Sequence, residues 1–321
     1  MGTVEAIRIA KRTGFCYGVR EAIDKAKEAS AAGKATTTLG QVVHNEGVIQ
    51  DLEALGIRTV DTLDDVDTGA AVVIRAHGVR PEVMARAEAR GLEVIDGTCT
   101  WVIQEQKELQ RLVAEGYTIV LLGTPKHPEV VGLLGFAPDA IVVDEEEDWD
   151  RIPHRKKMAL ISQSTQPPWK FEKLAAYMVA RSHELKIVNT VCPVTIRRQQ
   201  DTIETARDVD LMVVVGGRSS ANTKELTRLC GIAGTPAIQI ESMGDLDDAA
   251  AFEGARVVGV TGGTSTPIED LHAVAKRILE LAGTPSAAAA AERLADAAFA
   301  EAATPAGRTT SLPSTPAAPA A

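Results

Sequence analysis

The sequence predicts an α/β fold made of three pseudo-equivalent α/β units with mainly parallel sheets. Strand-like segments alternate with helical segments along most of the chain, an order typical of parallel sheets joined by right-handed crossovers. Three of the four cysteines end apolar segments, and each lies 28 residues before a polar loop residue. The pairs are Cys16 with His44, Cys99 with His127, and Cys192 with Ser220. A spacing that recurs three times indicates one supersecondary unit used three times.

Composition and charge limit the kinds of fold and of binding partner that this chain can have. Hydrophobic residues make up 45% of the 321 residues but aromatic residues only 3%, so the cores must be built from aliphatic side chains, which suits α/β packing. The formal net charge of −10 argues against nucleic acid or anionic membrane surfaces as partners. No apolar run resembles a signal peptide or approaches the roughly 20 residues of a membrane span. We therefore expect a cytoplasmic protein without a membrane partner.

Residues 13–98 are predicted to form the first unit. Pro81 occupies a favoured first helical position, and Gly91 is a typical end for the same helix. His44 follows the first strand of the unit and His77 follows its third. The predicted elements are a helix at 19–29, a strand at 36–39, a helix at 48–55, strands at 57–60 and 70–74, a helix at 81–91 and a strand at 92–95.

Residues 99–191 are predicted to form the second unit, which repeats this order with longer loops. The acidic stretch at 144–150 is predicted to be a solvated loop, and Ser164 and Thr165 lie in the loop after the strand at 158–161. The predicted elements are a helix after Cys99, a strand at 118–122, a helix after Pro128, strands at 140–143 and 158–161, a helix at about 168–182 and a strand at 185–188.

Residues 192–283 are predicted to form the third unit. A helix follows Cys192, strands are expected at 210–215, 237–240 and 256–260, and helices at 224–230 and up to 281. This unit lacks a last strand, whereas residues 1–12 hold a strand at 4–10 that has no unit of its own. We therefore expect residues 1–12 to complete the third sheet. The Ala- and Pro-rich stretch at 284–321 is predicted to be a disordered tail.

The three repeated cysteines suggest a metal site assembled from distant parts of the chain. Ligands bind at the carboxyl ends of strands in such sheets, so the three units can aim their thiols at one point. Thiolates suit iron-sulfur clusters and zinc, and three of them leave one coordination position open in either case. Cys230 lies in a helix beside Leu226 and Leu229 and is predicted to be a core residue.

Six short motifs surround the cysteines and the polar loops. They are Gly14-Phe15-Cys16-Tyr17-Gly18-Val19, Val43-His44-Asn45, Ala76-His77-Gly78-Val79, Gly97-Thr98-Cys99, His127-Pro128-Glu129-Val130 and Val258-Gly259-Val260-Thr261-Gly262-Gly263-Thr264-Ser265. In this order, over about residues 5–282, they resemble the family of 4-hydroxy-3-methylbut-2-enyl diphosphate reductases. Each motif alone is a weak signal, but their combination is specific.

The resemblance implies a central iron-sulfur site and a reaction. Cys16, Cys99 and Cys192 are expected to hold a 4Fe-4S cluster that leaves one iron for the substrate, an allylic diphosphate. Two electrons, supplied by ferredoxin or flavodoxin, and two protons would remove the hydroxyl group as water and give isopentenyl and dimethylallyl diphosphates. This is the last step of the methylerythritol phosphate route to isoprenoids.

The same resemblance assigns roles to residues in the strand-to-helix loops. Such loops offer backbone N–H groups and helix dipoles to an anion. Glu129 is expected to be the catalytic proton donor, because its loop faces the proposed site. The residues expected to bind substrate are His44, His77, His127, Ser164, Thr165, Ser220, Asn222 and Ser265.

Some of these residues also have purely structural interpretations. Each histidine alone is typical of a local hydrogen-bonding residue, Asn222 with Glu225 resembles a capping box, and Thr266 before Pro267 resembles a helix cap.

The chain also departs from the family pattern at two positions. Ser164 replaces a threonine and keeps its hydroxyl, whereas Ala221 replaces a serine and removes one diphosphate donor. Two alternatives to the reductase remain open at this point, a three-thiolate zinc hydrolase acting on a phosphorylated substrate and a nonenzymatic iron-sulfur sensor.

Overall fold

The computed structural model describes residues 4–43, 45–218, 220–247 and 249–282. Its elements form three separate four-stranded sheets, and every pairing within them is parallel. The predicted α/β class with three parallel sheets is therefore confirmed. The predicted tail at 284–321 lies outside the described residues, and the unit boundaries at 13–98, 99–191 and 192–283 stay predictions.

Strands and helices alternate through the described residues. The strands are β1 (Ala6–Ile9), β2 (Thr36–Leu39), β3 (Arg58–Val60), β4 (Ala71–Ile74), β5 (Glu93–Asp96), β6 (Thr118–Leu122), β7 (Ile141–Val143), β8 (Arg155–Ser162), β9 (Ser182–Ile187), β10 (Leu211–Val215), β11 (Ala237–Ile240) and β12 (Val257–Gly262). The helices are α1 (Tyr17–Ala31), α2 (Glu46–Ala54), α3 (Pro81–Ala89), α4 (Thr100–Ala114), α5 (Pro128–Leu133), α6 (Pro168–Val179), α7 (Pro193–Arg207), α8 (Ala221–Ile232) and α9 (Ile268–Leu281).

The three sheets share one strand order. They run β5-β4-β2-β3, β9-β8-β6-β7 and β1-β12-β10-β11, so β1 occupies in the third sheet the position of β5 and β9 in the others. β1 pairs with β12 from Ala6 opposite Val257 to Ile9 opposite Val260. Because Val4 and Ile7 are buried in the core of that sheet, apolar packing as well as hydrogen bonding holds the N-terminal strand in place.

The central strands β4 and β10 are apolar on both faces, as expected when helices cover both sides of a parallel sheet. All four residues of β4 and all five of β10 are buried, and their neighbours are aliphatic side chains from the flanking helices. This packing leaves the carboxyl ends of the strands and the following loops as the places where polar side chains can gather.

The acidic stretch after β7 differs from its predicted form. The sequence predicts a solvated loop at 144–150, but Glu146–Arg151 forms a short 3₁₀ helix. Trp149 in this segment is buried among the apolar residues of the second sheet and anchors it there. Because acidic residues surround Trp149 in the sequence, this stretch has no apolar pattern from which the buried tryptophan could be predicted.

The longest described helices, α1, α4 and α7, have 15 residues each, and none of the described helices is long and apolar enough to cross a bilayer.

Candidate functional site

The three repeated cysteines occupy the same structural position. Cys16, Cys99 and Cys192 are the N-cap residues of α1, α4 and α7, the helices that follow β1, β5 and β9 in the chain. In each case the backbone N–H donates to a carbonyl in the loop after the neighbouring strand. The acceptors are Thr264 at 3.3 Å for Cys16, Ala76 at 3.0 Å for Cys99 and Ser164 at 2.8 Å for Cys192. Three equivalent backbone hydrogen bonds therefore hold the three cysteines at the starts of their helices.

The three thiols lie near enough to influence one another electrostatically. Burial raises the pKa of Cys99, with Cys16 adding to the effect, and burial raises the pKa of Cys192 to about 11, with Cys16 and Cys99 acting in the same direction. The first backbone N–H groups of α4 and of α7 oppose these shifts. A cation between the thiols would favour their ionised form, which helix N-termini also stabilise.

Gly18 lets helix α1 approach Cys99 closely. A Cβ atom placed on Gly18 would lie 2.6 Å from Cys99 Sγ and 2.8 Å from Cys99 Cβ. Because Gly18 is two residues after Cys16, the missing side chain lets the start of α1 pack directly against Cys99.

Cys230 stands apart from the other three cysteines. It is fully buried in α8 and packs with Met212, Val214 and Leu226 behind the third sheet. Burial raises its pKa to about 11, and no ionisable group acts on it to shift that value further. Its surroundings agree with the predicted core position.

Glu129 lies buried at the start of α5, with 2% of its surface exposed. Its carboxylate accepts hydrogen bonds from Ser164, from the backbone N–H at 2.5 Å and from the hydroxyl at 2.8 Å. Burial raises the pKa of Glu129, and the two bonds from Ser164 act against that rise. Since Cys192 also bonds to the Ser164 carbonyl, one residue connects this carboxyl group to the third thiol.

Glu105 is a second buried carboxyl group in the same place, and the sequence analysis missed it. It lies in α4, is 0% exposed, and faces Glu129, Cys192 and Cys99. A signal was present in the sequence, because Glu105 occupies the apolar stripe of α4 together with Val102, Leu109 and Leu112.

The structure brings two of the three predicted histidines together. His77 follows β4 and His127 is the N-cap of α5, and their rings meet edge to face with centroids 5.2 Å apart. His127 Nδ1 accepts the Glu129 backbone N–H at 3.2 Å, so this histidine both caps the helix and orders the loop of the acid. His44 lies outside the described residues. Its neighbour Asn45 caps α2 by accepting the Val48 N–H at 3.1 Å.

The loop after β10 corrects the capping interpretation of Asn222. Ser220, not Asn222, is the N-cap of α8, and its hydroxyl oxygen accepts the Thr223 N–H at 3.3 Å. Asn222 lies inside the helix, 7% exposed, and neither its amide nitrogen nor its amide oxygen has a hydrogen-bond partner among the described residues. Because buried polar groups are normally hydrogen-bonded, this amide has bonding capacity left for a ligand or a water molecule.

The loop after β12 also differs from the predicted cap. The N-cap of α9 is Pro267, and the Thr266 hydroxyl instead donates to the Val215 carbonyl at 3.0 Å, which joins two strand ends. Ser265 precedes it and is partly exposed. Ser265 and Ser220 therefore lie in loops after adjacent strands, β12 and β10, at the same edge of the third sheet.

The predicted pair Ser164 and Thr165 follows β8, at the corresponding edge of the second sheet. Ser164 is engaged with Glu129, whereas the Thr165 hydroxyl accepts from Gln163 Nε2 at 2.9 Å. Gln163 also accepts the Thr124 N–H at 3.0 Å, so it ties the loops after β6 and β8 together.

Arg198 is a buried cation that the sequence analysis did not single out. It lies in α7 and donates to the carbonyls of Gly262 at 2.8 Å, Gly263 at 2.7 Å and Gly14 at 2.7 Å. Burial lowers its pKa, and Cys16 and Cys192 act against that change. The guanidinium thus lies near two of the thiols and fixes the loop that leads into Cys16.

The donor set at the three helix starts suits a group that is bound by thiolates. Among the described residues, no three Cys, His, Asp or Glu side chains lie close enough to hold a single metal ion. Three soft thiol donors approach from three helix starts, beside a buried guanidinium, and these features suit a larger anionic group bound by thiolates.

Comparisons with known proteins agree with this geometry. A family model described as LytB protein matches residues 7–279. A protein of Pelobacter propionicus named 4-hydroxy-3-methylbut-2-enyl diphosphate reductase is 38% identical over 274 residues, covering 85% of this chain and 97% of the relative. One of the same name from an Anaeromyxobacter species is 40% identical over 283 residues, covering 87% and 99%.

Two solved structures are also similar to this chain. The E-1-hydroxy-2-methyl-but-2-enyl-4-diphosphate reductase of Plasmodium falciparum superimposes with a TM-score of 0.81 at 26% identity, covering 88% of this chain and 89% of that one. A second reductase, described as the terminal enzyme of the non-mevalonate pathway, gives a TM-score of 0.67 at 32% identity and covers 86% and 99%.

Proposed function

The chain belongs to the LytB protein family, and on that premise we infer that it reduces 4-hydroxy-3-methylbut-2-enyl diphosphate to isopentenyl and dimethylallyl diphosphates. The allylic C–O bond breaks, two electrons enter, one proton leaves with the oxygen as water, and a second proton adds to either end of the allylic fragment. This reaction is the last step of the methylerythritol phosphate route. The observation that carries the proposal is the placement of three cysteines at equivalent helix starts, where their thiols influence one another, together with the buried carboxyl group of Glu129.

We assign Cys16, Cys99 and Cys192 as the ligands of a 4Fe-4S cluster. A bound cluster would supply the reducing electrons and one iron without a protein ligand. The helix starts that carry the cysteines, together with Arg198, would offset part of its negative charge. The long separation of the three cysteines in sequence is no obstacle, because the strand order repeats in each sheet.

We assign proton delivery to Glu129. Its carboxyl group is buried, so it is shielded from competing water, and Ser164 holds both of its oxygens in place. A positioned acid of this kind typically accelerates a reaction by about 10²–10⁴-fold. Because Cys192 is anchored to the Ser164 carbonyl, the acid and one cluster ligand keep a fixed separation.

We assign diphosphate binding to the polar loops. The unpartnered amide of Asn222 supports this assignment most directly, since an anion would give its N–H groups an acceptor. Ser220 and Ser265 lie at the same sheet edge, and helix starts add N–H groups that attract phosphate. His44, His77, His127, Ser164 and Thr165 complete the predicted set.

The electron donor and the location of the protein are further parts of the proposal. The resemblance favours ferredoxin or flavodoxin as donor, and we place the reaction in the cytoplasm. The net charge of −10 supports a small-molecule substrate rather than nucleic acid.

Anaerobic purification followed by turnover tests the proposed function. The expected protein is brown, contains about four iron and four sulfide per chain, and converts the hydroxy diphosphate to both isomers with a low-potential reductant. A colourless native protein that contains zinc and does not reduce this substrate would exclude the proposal in favour of a zinc hydrolase.

Serine variants test the ligands. Replacing Cys16, Cys99 or Cys192 should lower the iron content, whereas Cys230→Ser, the matched control from the core of α8, should retain it. Equal iron loss in the control would overturn the ligand assignment.

A Glu129→Gln variant tests the acid. We expect wild-type iron content and a turnover number lower by about 10²–10⁴-fold, because the amide cannot deliver the proton. Wild-type turnover in this variant would remove Glu129 from the mechanism.

A further inference from the structure

A cavity of about 230 Å³ borders the loops that we assign to diphosphate binding. It is lined by the loop after β8, which contributes Thr165, and by the first two turns of α8, which contribute Ala221. Thr165 belongs to the residues assigned to the diphosphate, and Ala221 directly follows Ser220, which belongs to the same set. A ligand held by these loops therefore lies beside the cavity, within reach of side chains on its wall.

Helix α8 presents one face to this cavity. Four of its residues line the wall at intervals of three or four positions, which places them in one stripe along the helix: Ala221, Lys224, Glu225 and Arg228. Lys224 is exposed and lies one turn after Ala221. Long side chains on a helix lean toward its N-terminus, so the ammonium group of Lys224 can reach the start of α8.

The other charged side chains of the cavity wall are paired with one another. Lys170 Nζ donates to Asp144 Oδ1 at 2.8 Å and to Glu145 Oε1 at 2.9 Å. Arg228 donates to the two carboxylate oxygens of Glu225 at 2.7 Å each. The three acids of the wall are therefore already compensated by two of its cations.

Lys224 is the remaining cation of the wall, and it has no ion-pair partner among the described residues. The adjacent acid in α8, Glu225, is occupied by Arg228 and also by Trp169, whose indole N–H donates to it at 3.2 Å. The ammonium group of Lys224 is thus available to an anion that enters the cavity.

Asn222 gives an independent sign of a ligand at the same helix start. Its side chain is 7% exposed, and its amide has no hydrogen-bond partner among the described residues. The amide nitrogen lies 3.7 Å from the point that a Cβ atom on Gly263 would occupy, so it faces the loop that carries Ser265. The start of α8 therefore offers a buried amide and an accessible ammonium group, and both can donate to phosphate oxygens.

We propose that Lys224 binds the diphosphate group of the substrate and takes over part of the role of the hydroxyl group that Ala221 lacks. The inference rests on the proposed function and adds a binding residue to it. Lysine carries a full positive charge on a flexible stem, so it can bind phosphate oxygens without the fixed geometry that a serine hydroxyl needs.

Binding of inorganic pyrophosphate tests the proposal without turnover. In calorimetric titrations of the anaerobically purified holoprotein, Lys224→Met should raise the dissociation constant by about three- to tenfold, between the effects of an exposed ion pair and a charge-assisted hydrogen bond. Lys224→Arg keeps the charge and should restore most of the affinity. Equal dissociation constants in wild type and Lys224→Met would overturn the proposal.

Lys173→Met is the matched control. Lys173 is an exposed lysine of α6 that pairs with Glu146 and does not line the cavity, so its removal changes the net charge equally but should leave pyrophosphate binding as in wild type. An equal loss of affinity in this control would also overturn the proposal, because it would show an effect of overall charge rather than of contact.

Steady-state kinetics give the second readout. Lys224→Met should raise the KM for the hydroxy diphosphate by a similar factor with little change in kcat, and its KM should depend less steeply on ionic strength than that of wild type. A lower kcat at unchanged KM would contradict a binding role. If wild type does not reduce the hydroxy diphosphate at all, the proposed function fails, and the pyrophosphate titrations still decide whether Lys224 binds a diphosphate group.

Discussion

Replacing Gly18 with alanine should harm the site although the same change in an open helix stabilises a protein. Alanine at a helical position normally contributes about 0.5–1 kcal/mol relative to glycine. At Gly18, however, the new Cβ would lie 2.6 Å from Cys99 Sγ, well below the 3.0 Å under which Cβ contacts essentially do not occur. Cys99 cannot move away freely, since its N–H is bonded to the Ala76 carbonyl at 3.0 Å.

Gly231 provides the matched control. It lies in α8, and a Cβ at this position would meet no atom within 4 Å. Gly231→Ala should therefore show the helix gain alone, and Gly18→Ala should show the same gain reduced by an overpacking cost of about 1–3 kcal/mol. The difference between the two variants is thus expected to equal that cost.

Thermal unfolding of the metal-free proteins measures the difference. One kcal/mol corresponds to about 2–4 °C in melting temperature for a chain near this size, so Gly18→Ala should melt below Gly231→Ala by about 2–12 °C. Iron content after anaerobic reconstitution should also fall in Gly18→Ala only, because Cys99 is displaced. If both variants showed the same melting temperature and wild-type iron, the close approach of α1 to Cys99 would have no importance for the site.

Three further predictions concern the third loop, the buried cation and the buried acid. Ala221→Ser restores the missing hydroxyl at the start of α8 and should lower the KM by up to about tenfold with little change in kcat; an unchanged KM would show that this position does not reach the substrate. Arg198→Met removes the side-chain donor shared by the carbonyls of Gly14, Gly262 and Gly263 and should lower the melting temperature more than Arg198→Lys, which retains part of the bonding; equal melting temperatures would contradict this role. Because the pKa of Glu105 is raised in the folded protein, stability falls as the pH rises above the unfolded value of about 4.3. The stability of Glu105→Gln relative to wild type should therefore increase from pH 4 to pH 7 in denaturation experiments, and a constant difference would refute the burial argument.

The repeated spacing predicted the fold because equal elements produce equal intervals. The helices α1, α4 and α7 all have 15 residues, and each connects a cysteine to the next strand of its unit. The polar residue 28 positions later therefore falls after β2, β6 or β10, which are equivalent strands. Intervals of this kind can be read directly from the sequence. They therefore predicted which strand ends carry the thiols and the polar loops.

Tertiary contacts explain what the sequence did not reveal. Glu105 is buried in the middle of α4, and the bonds from Arg198 to Gly14 and Gly262 join segments far apart in the chain. The cap of α8 was misplaced by two residues because Ser220 and Asn222 both have side chains suited to capping, and only the backbone path distinguishes them.

The pairing of β1 with β12 also sets the order in which the molecule can fold. The pairing of these strands spans about 250 residues, as does the ion pair of Glu5 with Arg256 just before them, whereas the other two sheets form from contiguous chain. During synthesis, β1 emerges early and remains an unpaired edge until β12 has been made. Cys16 bonds to Thr264, just beyond β12, so the first thiol reaches its final position only after this late closure. Assembly of the complete three-thiol site is therefore one of the last events of folding.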